Sequence, residues 1–452
     1  MQEPSLPSWA ERLYRNLDRR LFGRGHWVAR EAVPVPEAAE PGALRLLWRR
    51  GAVGASHADC LCVEYEGMPM DRLEDAVRLR LGHPGATLCA RVWLLRPSQP
   101  PLLAMQGWLR LDHRSLCRSV VLCAGKLPAL LRAAQARVSR LPAVSTAWRE
   151  AGAVAPALDA GQQIARLVRA VWTWLRWREQ WQIEVRSHGA SGAMQHGTVV
   201  VVRPPPSAFW ADPFLLRRGD RAWILFEGLD FKENRGHICA VEIGAAGAPI
   251  AAPQVVLREP WHLSYPFLWH EGDRLFMIPE AGECRELTLY EAVGDGLHWE
   301  RRRVLISGVR LADATVVAHG GRLWMFATSA DEGIAFMDDA LHVYWAEHIE
   351  GPWHAHALNP VKIDARCARP AGSMWVEAGK VHRVAQDCSS TYGGSVRCMR
   401  VTCLTETEFE EEEVVGWSPR REASSDPWHT YNEIDGFTVT DRLVKIPRWR
   451  AR

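Results

Sequence analysis

The chain reads as multidomain and mainly β: a five-bladed β-propeller preceded by an α/β or α+β N-terminal domain. Three observations predict this. One phrase recurs three times, as ADPFLLRRGDRAWILFE from Ala211, SYPFLWHEGDRLFMIPE from Ser264 and ADATVVAHGGRLWMFAT from Ala312. Its openers Asp212, Tyr265 and Asp313 lie 53 and 48 residues apart (265 − 212, 313 − 265), close to the period of propeller blades. The composition also shifts near residue 190, from Ala, Leu and Arg-rich helical spacing to short alternating strands.

Residues 1–190 are read as the first domain. SWAERLYRNLDRRLF spaces Trp9, Leu13, Leu17 and Leu21 along one helical face. KLPALLRAAQARVSRL and GQQIARLVRAVWTWLRWREQW also read as helices, and LRLLWRRG, DCLCVEY and ATLCARVWLL as short strands; the mixture gives the α/β or α+β class. SHGASGAMQHG, near Ser187, reads as a linker. The stretch Ile164–Trp181 carries Trp172, Trp174, Trp177 and Trp181 among arginines. It is expected to dock on its neighbours, with a peripheral contact to an anionic membrane surface as the alternative.

Residues 191–452 are read as the propeller. Each repeat has an opener, an apolar strand, a Gly-containing turn and a second apolar strand. Weaker copies follow in ARPAGSMWVEAGKVHRVAQD from Ala368 and HTYNEIDGFTVTD from His429, at spacings of 56 (369 − 313) and 60 (429 − 369). GHICAVEIG, RELTLYEAVG and LHVYWAEHIEGPW have the alternation of outer blade strands.

Composition bounds the function. With 452 residues, 47% of them hydrophobic, the chain can bury a full core. A net charge of +2 gives no electrostatic case for nucleic acid. Twenty-two tryptophans suit blade packing, with a few available to stack on sugar rings. Eleven cysteines without CxxC pairs suit reduced thiols and a cytoplasmic setting. The opening MQEPSLPSWAERLYRNLDRR is too polar for a signal peptide, and no apolar run reaches the roughly 18 residues of a membrane span.

The site follows from the repeat. In each hairpin the start of the first strand and the end of the second return to one rim. Asp212 with Glu227, Tyr265 with Glu280 and Asp313 with Thr328 are each 15 apart (227 − 212, 280 − 265, 328 − 313), and Arg369 faces Gln386 and Asp387. A ring of carboxylates with an arginine is expected at the axis. Like charges and burial raise carboxyl pKa values, which is what glycosidic chemistry needs: one carboxyl kept protonated as acid, another ionised as base or nucleophile. The arginine can fork an anionic group. Taken singly, Asp212 and Asp313 also suit turn caps, and Glu227 and Glu280 suit solvated strand ends; their recurrence in register favours the site. His262 beside Tyr265, the NPVKIDARCARP segment with Asp364 and Arg366, and Tyr392 before a Gly pair are expected at the same rim as substrate-binding groups. No metal-ligand spacing, P-loop, dinucleotide fingerprint or Ser–His–Asp signature occurs, so neither metal nor cofactor is expected.

FWADPFLL…LFEG, HLSYPFLW…FMIPEA, LADATVV…WMFATS, NPVKIDARCARPAG and AQDCSSTYGG, in that order, resemble the domain at the N-terminus of plant glucosamine inositolphosphorylceramide transferases, which also occurs in bacterial proteins of polysaccharide loci. The resemblance spans roughly Gly197–Leu443. It implies a five-bladed propeller distantly similar to glycosidases of families 43, 32 and 68. Asp212 then matches their blade-one base or nucleophile and Asp313 the aspartate that tunes their acid. Arg369 stands where those glycosidases carry the acid glutamate, which leaves Glu280 as a replacement acid or Arg369 as the anchor of a phosphate-bearing donor. RLYRNLDRRLF and LDHRSLCRSVVLCAGKLPALL faintly resemble a formyltransferase-like domain without its catalytic constellation, implying a degenerate or structural unit. The expected function is transfer or cleavage of a glycosyl unit in surface polysaccharide or glycolipid synthesis. The alternatives are a glycan-binding propeller without turnover and a scaffold for a partner glycosyltransferase.

Overall fold

The computed structural model describes residues 17–18, 45–47, 59–83, 85–141, 159–188, 199–294, 296–329, 337–417, 426–434 and 436–450. Of the helix expected over SWAERLYRNLDRRLF only Leu17 and Asp18 are described, and both are helical. Most of the expected linker, beyond His188, lies outside the described residues.

The N-terminal unit is α+β. β1 (Arg45–Leu47) runs parallel to β2 (Cys60–Tyr65). β2 pairs antiparallel with the short β3 (Met68–Pro69) and with β4 (Leu88–Leu95), and β4 with β5 (Leu102–Leu109). Helices Leu73–Leu81, Leu116–Gly125 and Leu127–Arg137 cover one face. Each buries an apolar stripe: Ala76, Val77 and Leu81; Leu116 and Cys123; Leu127, Leu130 and Ala134, all in one core with Val63, Leu88 and Val92. Ser115 caps the second helix by accepting from the Arg118 amide.

The last helix of this half runs Ala160–Arg176 and stops there. The helical reading of WREQW is corrected by the structure: β6 (Trp177–Ser187) is a strand. Eleven consecutive residues, from Trp177 opposite Pro447 to Ser187 opposite Phe437, form its ladder. A ladder of that length outweighs local helix propensity. With β7 (Val199–Val202), β6 completes the last blade.

Five antiparallel sheets follow. The first holds β8 (Ala208–Arg218), β9 (Arg221–Asp230), β10 (Arg235–Ile243) and β11 (Gln254–Leu257). The second holds β12 (Ser264–Glu271), β13 (Arg274–Glu280), β14 (Glu286–Val293) and β15 (His298–Ser307). The third holds β16 (Leu311–His319), β17 (Arg322–Ser329), β18 (Ala340–Ala346), β19 (His354–Ala355) and β20 (Lys362–Ile363). The fourth holds β21 (Trp375–Glu377), β22 (Lys380–Asp387), β23 (Ser395–Leu404) and β24 (Phe409–Glu413). The fifth pairs β25 (Tyr431–Ile434) and β26 (Phe437–Pro447) with β6 and β7. A division at 190/191 would therefore pass through this blade.

Apolar clusters fill the gap between each successive pair of sheets, and so the ring closes. Leu216 and Trp223 meet Leu275 and Met277. Phe267 and Phe276 meet Val316 and Met325. Phe326 and Val343 meet Val381 and Val401. Ala371 and Val384 meet Trp428 and Tyr431. Val185 and Val439 meet Ile224 and Phe226. This is the five-bladed propeller the repeat predicts.

Gly372 seals the fourth blade to the fifth. Its φ is +134°, and a Cβ there would collide with the Tyr431 carbonyl, while its amide donates to the Tyr265 hydroxyl at 2.7 Å. Gly372→Ala should lower stability by about 2 kcal/mol, from a disfavoured φ plus a backbone clash. A denaturant midpoint equal to that of the parent would contradict this seam.

The two halves pack together. The Ala365 amide donates to the Trp108 carbonyl at 2.8 Å, Arg110 pairs with Asp338 at 2.5 Å, and Arg137 donates to the Val361 carbonyl at 2.8 Å. The helix Ala160–Arg176 buries Gln163 and Leu167 but leaves Val168, Val171, Trp172 and Leu175 exposed. No helix among the described residues is long and apolar enough to cross a membrane.

Candidate active site at the propeller hub

The same backbone device recurs in three blades. Ala211 pairs with Glu227 and Phe214 with Leu225, so two residues oppose one. Ser264 and Phe267 against Glu280 and Ile278, and Ala312 and Thr315 against Thr328 and Phe326, repeat the bulge. The first bulged residue has positive φ each time: Asp212 at 52°, Tyr265 at 44° and Asp313 at 53°. Such values are unusual for residues other than glycine, and bulges of this kind re-aim side chains near functional sites. The repeated opener is thus the sequence trace of a repeated strained bend.

Two charge clusters result. In the first, the Asp212 carboxylate accepts from Thr430 Oγ1 at 2.9 Å and from the Tyr265 amide at 3.3 Å. His429 Nε2 lies 2.9 Å from Asp212, and its Nδ1 lies 3.1 Å from Asp441. Asp441 also accepts from the His429 and Thr430 amides at 2.8 and 3.1 Å. All these groups are buried. Burial opposes ionisation of Asp212, but the charge and hydrogen bond of His429, the Thr430 hydroxyl and Arg369 outweigh it and hold the carboxyl below its ordinary value. Burial likewise opposes the imidazolium, yet Asp441 and Asp212 raise His429 to about 9. One ligand atom from each of Asp212, His429 and Asp441 lies within 4.8 Å of the others, a spacing a cation would accept; with both ring nitrogens facing carboxylates, a cation would have to displace the imidazole proton.

In the second cluster Arg369 serves two acids. Its Nε and Nη2 donate to Asp313 at 2.6 and 3.1 Å, and Nη2 reaches Glu280 at 3.3 Å. Gln386 Nε2 adds a bond to Asp313 at 2.9 Å. Burial pushes Asp313 up, as do the neighbouring Glu280 and Asp212 carboxylates, against the pull of Arg369. The guanidinium stacks on Tyr392, 5.0 Å from the ring centre. Tyr392 in turn lies 5.2 Å from the His429 ring, which joins the clusters. The Asp313 side chain is 1% exposed and that of Glu280 15%, so Glu280 is the acid of this pair nearer to solvent.

Glu227 and His262 form a third pair at 3.0 Å, the imidazole 31% exposed. Burial raises Glu227 despite the pull of His262, and Asp212 adds to the rise. His262 is desolvated too, but Glu227 raises it on balance.

Not every expected residue joins the hub. Tyr265 is fully buried, its ring against Phe214 and its hydroxyl on Thr315 and Gly372; its contribution is the amide it offers Asp212. Asp364 and Arg366 pair with each other at 2.8 Å, and Arg366 stacks on Trp108 of the N-terminal unit, so they belong to the interface between the halves. Asp387 is held by Arg397 at 2.6 Å and accepts from the Ser389 amide. Arg369, expected as an anchor for an anionic group, has its fork occupied by Asp313 and Glu280. The reading of residue types missed His429, Thr430 and Asp441. The signal was present: His429 precedes the fifth hairpin and Asp441 follows its paired residues, 12 residues later (441 − 429).

The His429 cluster makes stability pH-dependent. A folded pKa near 9 against an ordinary 6.5 contributes stability that is full below about pH 6.5 and disappears as pH rises through about 9. The shift corresponds to about 3 kcal/mol. Asp212, held low, contributes in the other direction, above its ordinary 3.8, and that share is lost in acid. Denaturant titrations should show stability falling between about pH 6.5 and pH 9.5; a flat profile there would contradict the buried imidazolium.

Residues 193–436 match the family described as Glucosamine inositolphosphorylceramide transferase 1, N-terminal. The chain is 31% identical over 264 residues to Glucosamine inositolphosphorylceramide transferase 1 of Oryza sativa subsp. japonica, covering 56% of this chain and 35% of that protein. It is 33% identical over 211 residues to the protein of the same name from Arabidopsis thaliana, covering 46% and 28%. The chain thus spans about a third of the length of these relatives. Among solved structures, a thermostable family-43 glycoside hydrolase aligns at 12% identity over 47% of this chain and 78% of that one, with a TM-score of 0.36. The GH43_1 enzyme from Xanthomonas citri complexed with xylotriose aligns at 12% identity over 52% and 82%, with a TM-score of 0.38. By the match that covers more than half its length, this chain belongs to the glucosamine inositolphosphorylceramide transferase 1 N-terminal family.

Proposed function

We propose that the hub is a carbohydrate-active centre that transfers or cleaves a glycosyl unit. The observation that carries this reading is the meeting of two oppositely tuned acids: Asp212, kept ionised by His429, and Asp313, raised by burial where it shares one guanidinium with Glu280. Asp212 acts as base or nucleophile. Glu280, the more exposed partner, is the acid, with Asp313 and Arg369 beside it. Tyr392 and the Glu227–His262 pair are placed to meet sugar hydroxyls. The names of the relatives support a glycosyl-transferring role and a saccharide or glycolipid substrate. Single-turnover assays with sugar donors and oligosaccharides, run on the parent and on Asp212→Asn, test the assignment.

A glycan-binding propeller without turnover predicts calorimetric sugar binding and no product with any donor. A role as scaffold predicts co-purification of a glycosyltransferase from native lysate. The exposed Val168, Val171, Trp172 and Leu175 beside Arg169 and Arg176 support a peripheral contact with an anionic bilayer. Val171→Asp should then cut co-sedimentation with anionic vesicles about tenfold; unchanged sedimentation would remove that contact.

A further inference from the structure

With the Arg369 fork occupied, an anionic group of a ligand needs another holder. A cleft of about 750 Å³ lies between the helix Ala160–Arg176 and the rim of the first and fifth blades, within the size range of small-molecule sites. Arg166 and Arg169 of the helix, Arg178 of β6, and Lys445 and Arg448 at the end of the chain's last blade strand line it. Glu179 is the one acidic residue of the lining. Arg114 is engaged by Asp112, and Lys445 stands opposite Glu179 in the β6–β26 ladder without an ion pair among the described residues; Arg166, Arg178 and Arg448 face neutral partners. Arg166 donates to the carbonyls of Leu81 and Gly82. Arg178 stacks on Phe231, and Arg448 stacks on Trp174 and donates to its carbonyl. Arg169 and Lys445 have no ion pair among the described residues. The fixed positive charge is therefore largely uncompensated.

Much of the remaining wall is aromatic. Trp177 and Trp181 give the cleft flat apolar faces beside the guanidinium groups. Trp181 is shared with the hub, because its ring stands edge-on to His429 at 4.2 Å, and His429 holds Asp212. A guanidinium-rich, tryptophan-walled cleft favours a ligand with both negative oxygens and a ring face.

We propose that this cleft binds a phosphate or pyrophosphate ester, its charged group on Arg169, Lys445 and their neighbours and its ring against the tryptophans. The site stands whether or not the hub is catalytic, because binding alone reports it.

The test uses the full chain and three probes at low salt: inorganic pyrophosphate, uridine diphosphate, and phosphatidylglycerol-containing vesicles compared with pure phosphatidylcholine vesicles. Binding is followed by calorimetry, by tryptophan fluorescence and, for vesicles, by sedimentation. The double variant Arg169→Ala/Lys445→Ala should weaken binding about a hundredfold, roughly tenfold per cation removed, with an unchanged melting temperature. Arg302→Ala, on an exposed side chain of the second blade, should leave binding intact. Preference for uridine diphosphate points to a soluble ester, and preference for anionic vesicles to a lipid headgroup; loss in the double variant supports the site in either case. No binding of any probe, equal affinity in the double variant, or an equal loss in Arg302→Ala overturns the proposal. If the double variant melts early, Arg169→Gln alone, with about a tenfold loss expected, decides.

Discussion

Asp212→Asn should reduce kcat/KM on any glycosyl substrate of the parent by at least about a thousandfold, while leaving the propeller folded. In the parent the two carboxylate oxygens accept separately, one from Thr430 Oγ1 and the other from the Tyr265 amide; the single oxygen of Asn keeps one of these bonds, and its Nδ2 cannot accept the other. What also disappears is the charge. Without it there is no anionic base or nucleophile, and the His429 imidazole keeps one carboxylate, Asp441, in place of two. The His429 pKa, raised to about 9 in the parent, should then fall toward 6.5, which nitrogen-detected NMR of the imidazole can follow. Full turnover in the variant would remove Asp212 from the chemistry. A fall in the His429 pKa without loss of turnover would leave it a purely structural anion.

Arg369→Met carries the largest expected stability effect, about 3–5 kcal/mol, because it strands buried carboxylates without their counter-charge. Asp313 would retain the bond from Gln386 but lose both bonds from Arg369, and Glu280 would lose its partner. Methionine fills similar space, so the loss reports charge rather than a cavity. Arg369→Lys should recover only part of it, since an ammonium cannot fork to two acids. The deficit should shrink as pH falls and the stranded carboxyls take up protons. Equal denaturation midpoints for the parent and Arg369→Met at neutral pH would contradict the geometry of this cluster.

The periodic part of this protein was legible because a blade cannot bury its faces alone, and so writes its pattern into every repeat. The phrases from Ala211, Ser264 and Ala312 became three hairpins with three equivalent bulges. The acids Asp212, Glu280 and Asp313 were found because they are carboxylates in repeated slots. His429 and Asp441 stand at the open end of the fifth hairpin, 12 residues apart (441 − 429) and without the bulge, and a search for carboxylates with arginine in the repeated slots passes them over. The neutralisation of Arg369 is a matter of ångströms between blades, and spacing along the chain does not encode it. Tyr265 went the other way: it shares the slot of Asp212 and Asp313, but its bulk sends the ring into the core between the second and third blades. The helix read through Trp181 ended early because β26, about 270 residues downstream, claims Trp177–Ser187.

The joining of β6 and β7 to β25 and β26 has a practical corollary. The wheel is latched by threads from its two extremities, so it stays open during synthesis until the final hairpin emerges to meet a strand made some 250 residues earlier. A fragment cut to the borders of the family match, 193–436, would lack β6 and β26 entirely. It would present unlatched strand edges, an invitation to pair with other copies. Retaining β6 and β26, together with the N-terminal unit whose core takes in Leu167 and Ile363, should instead leave those edges paired and the hub complete.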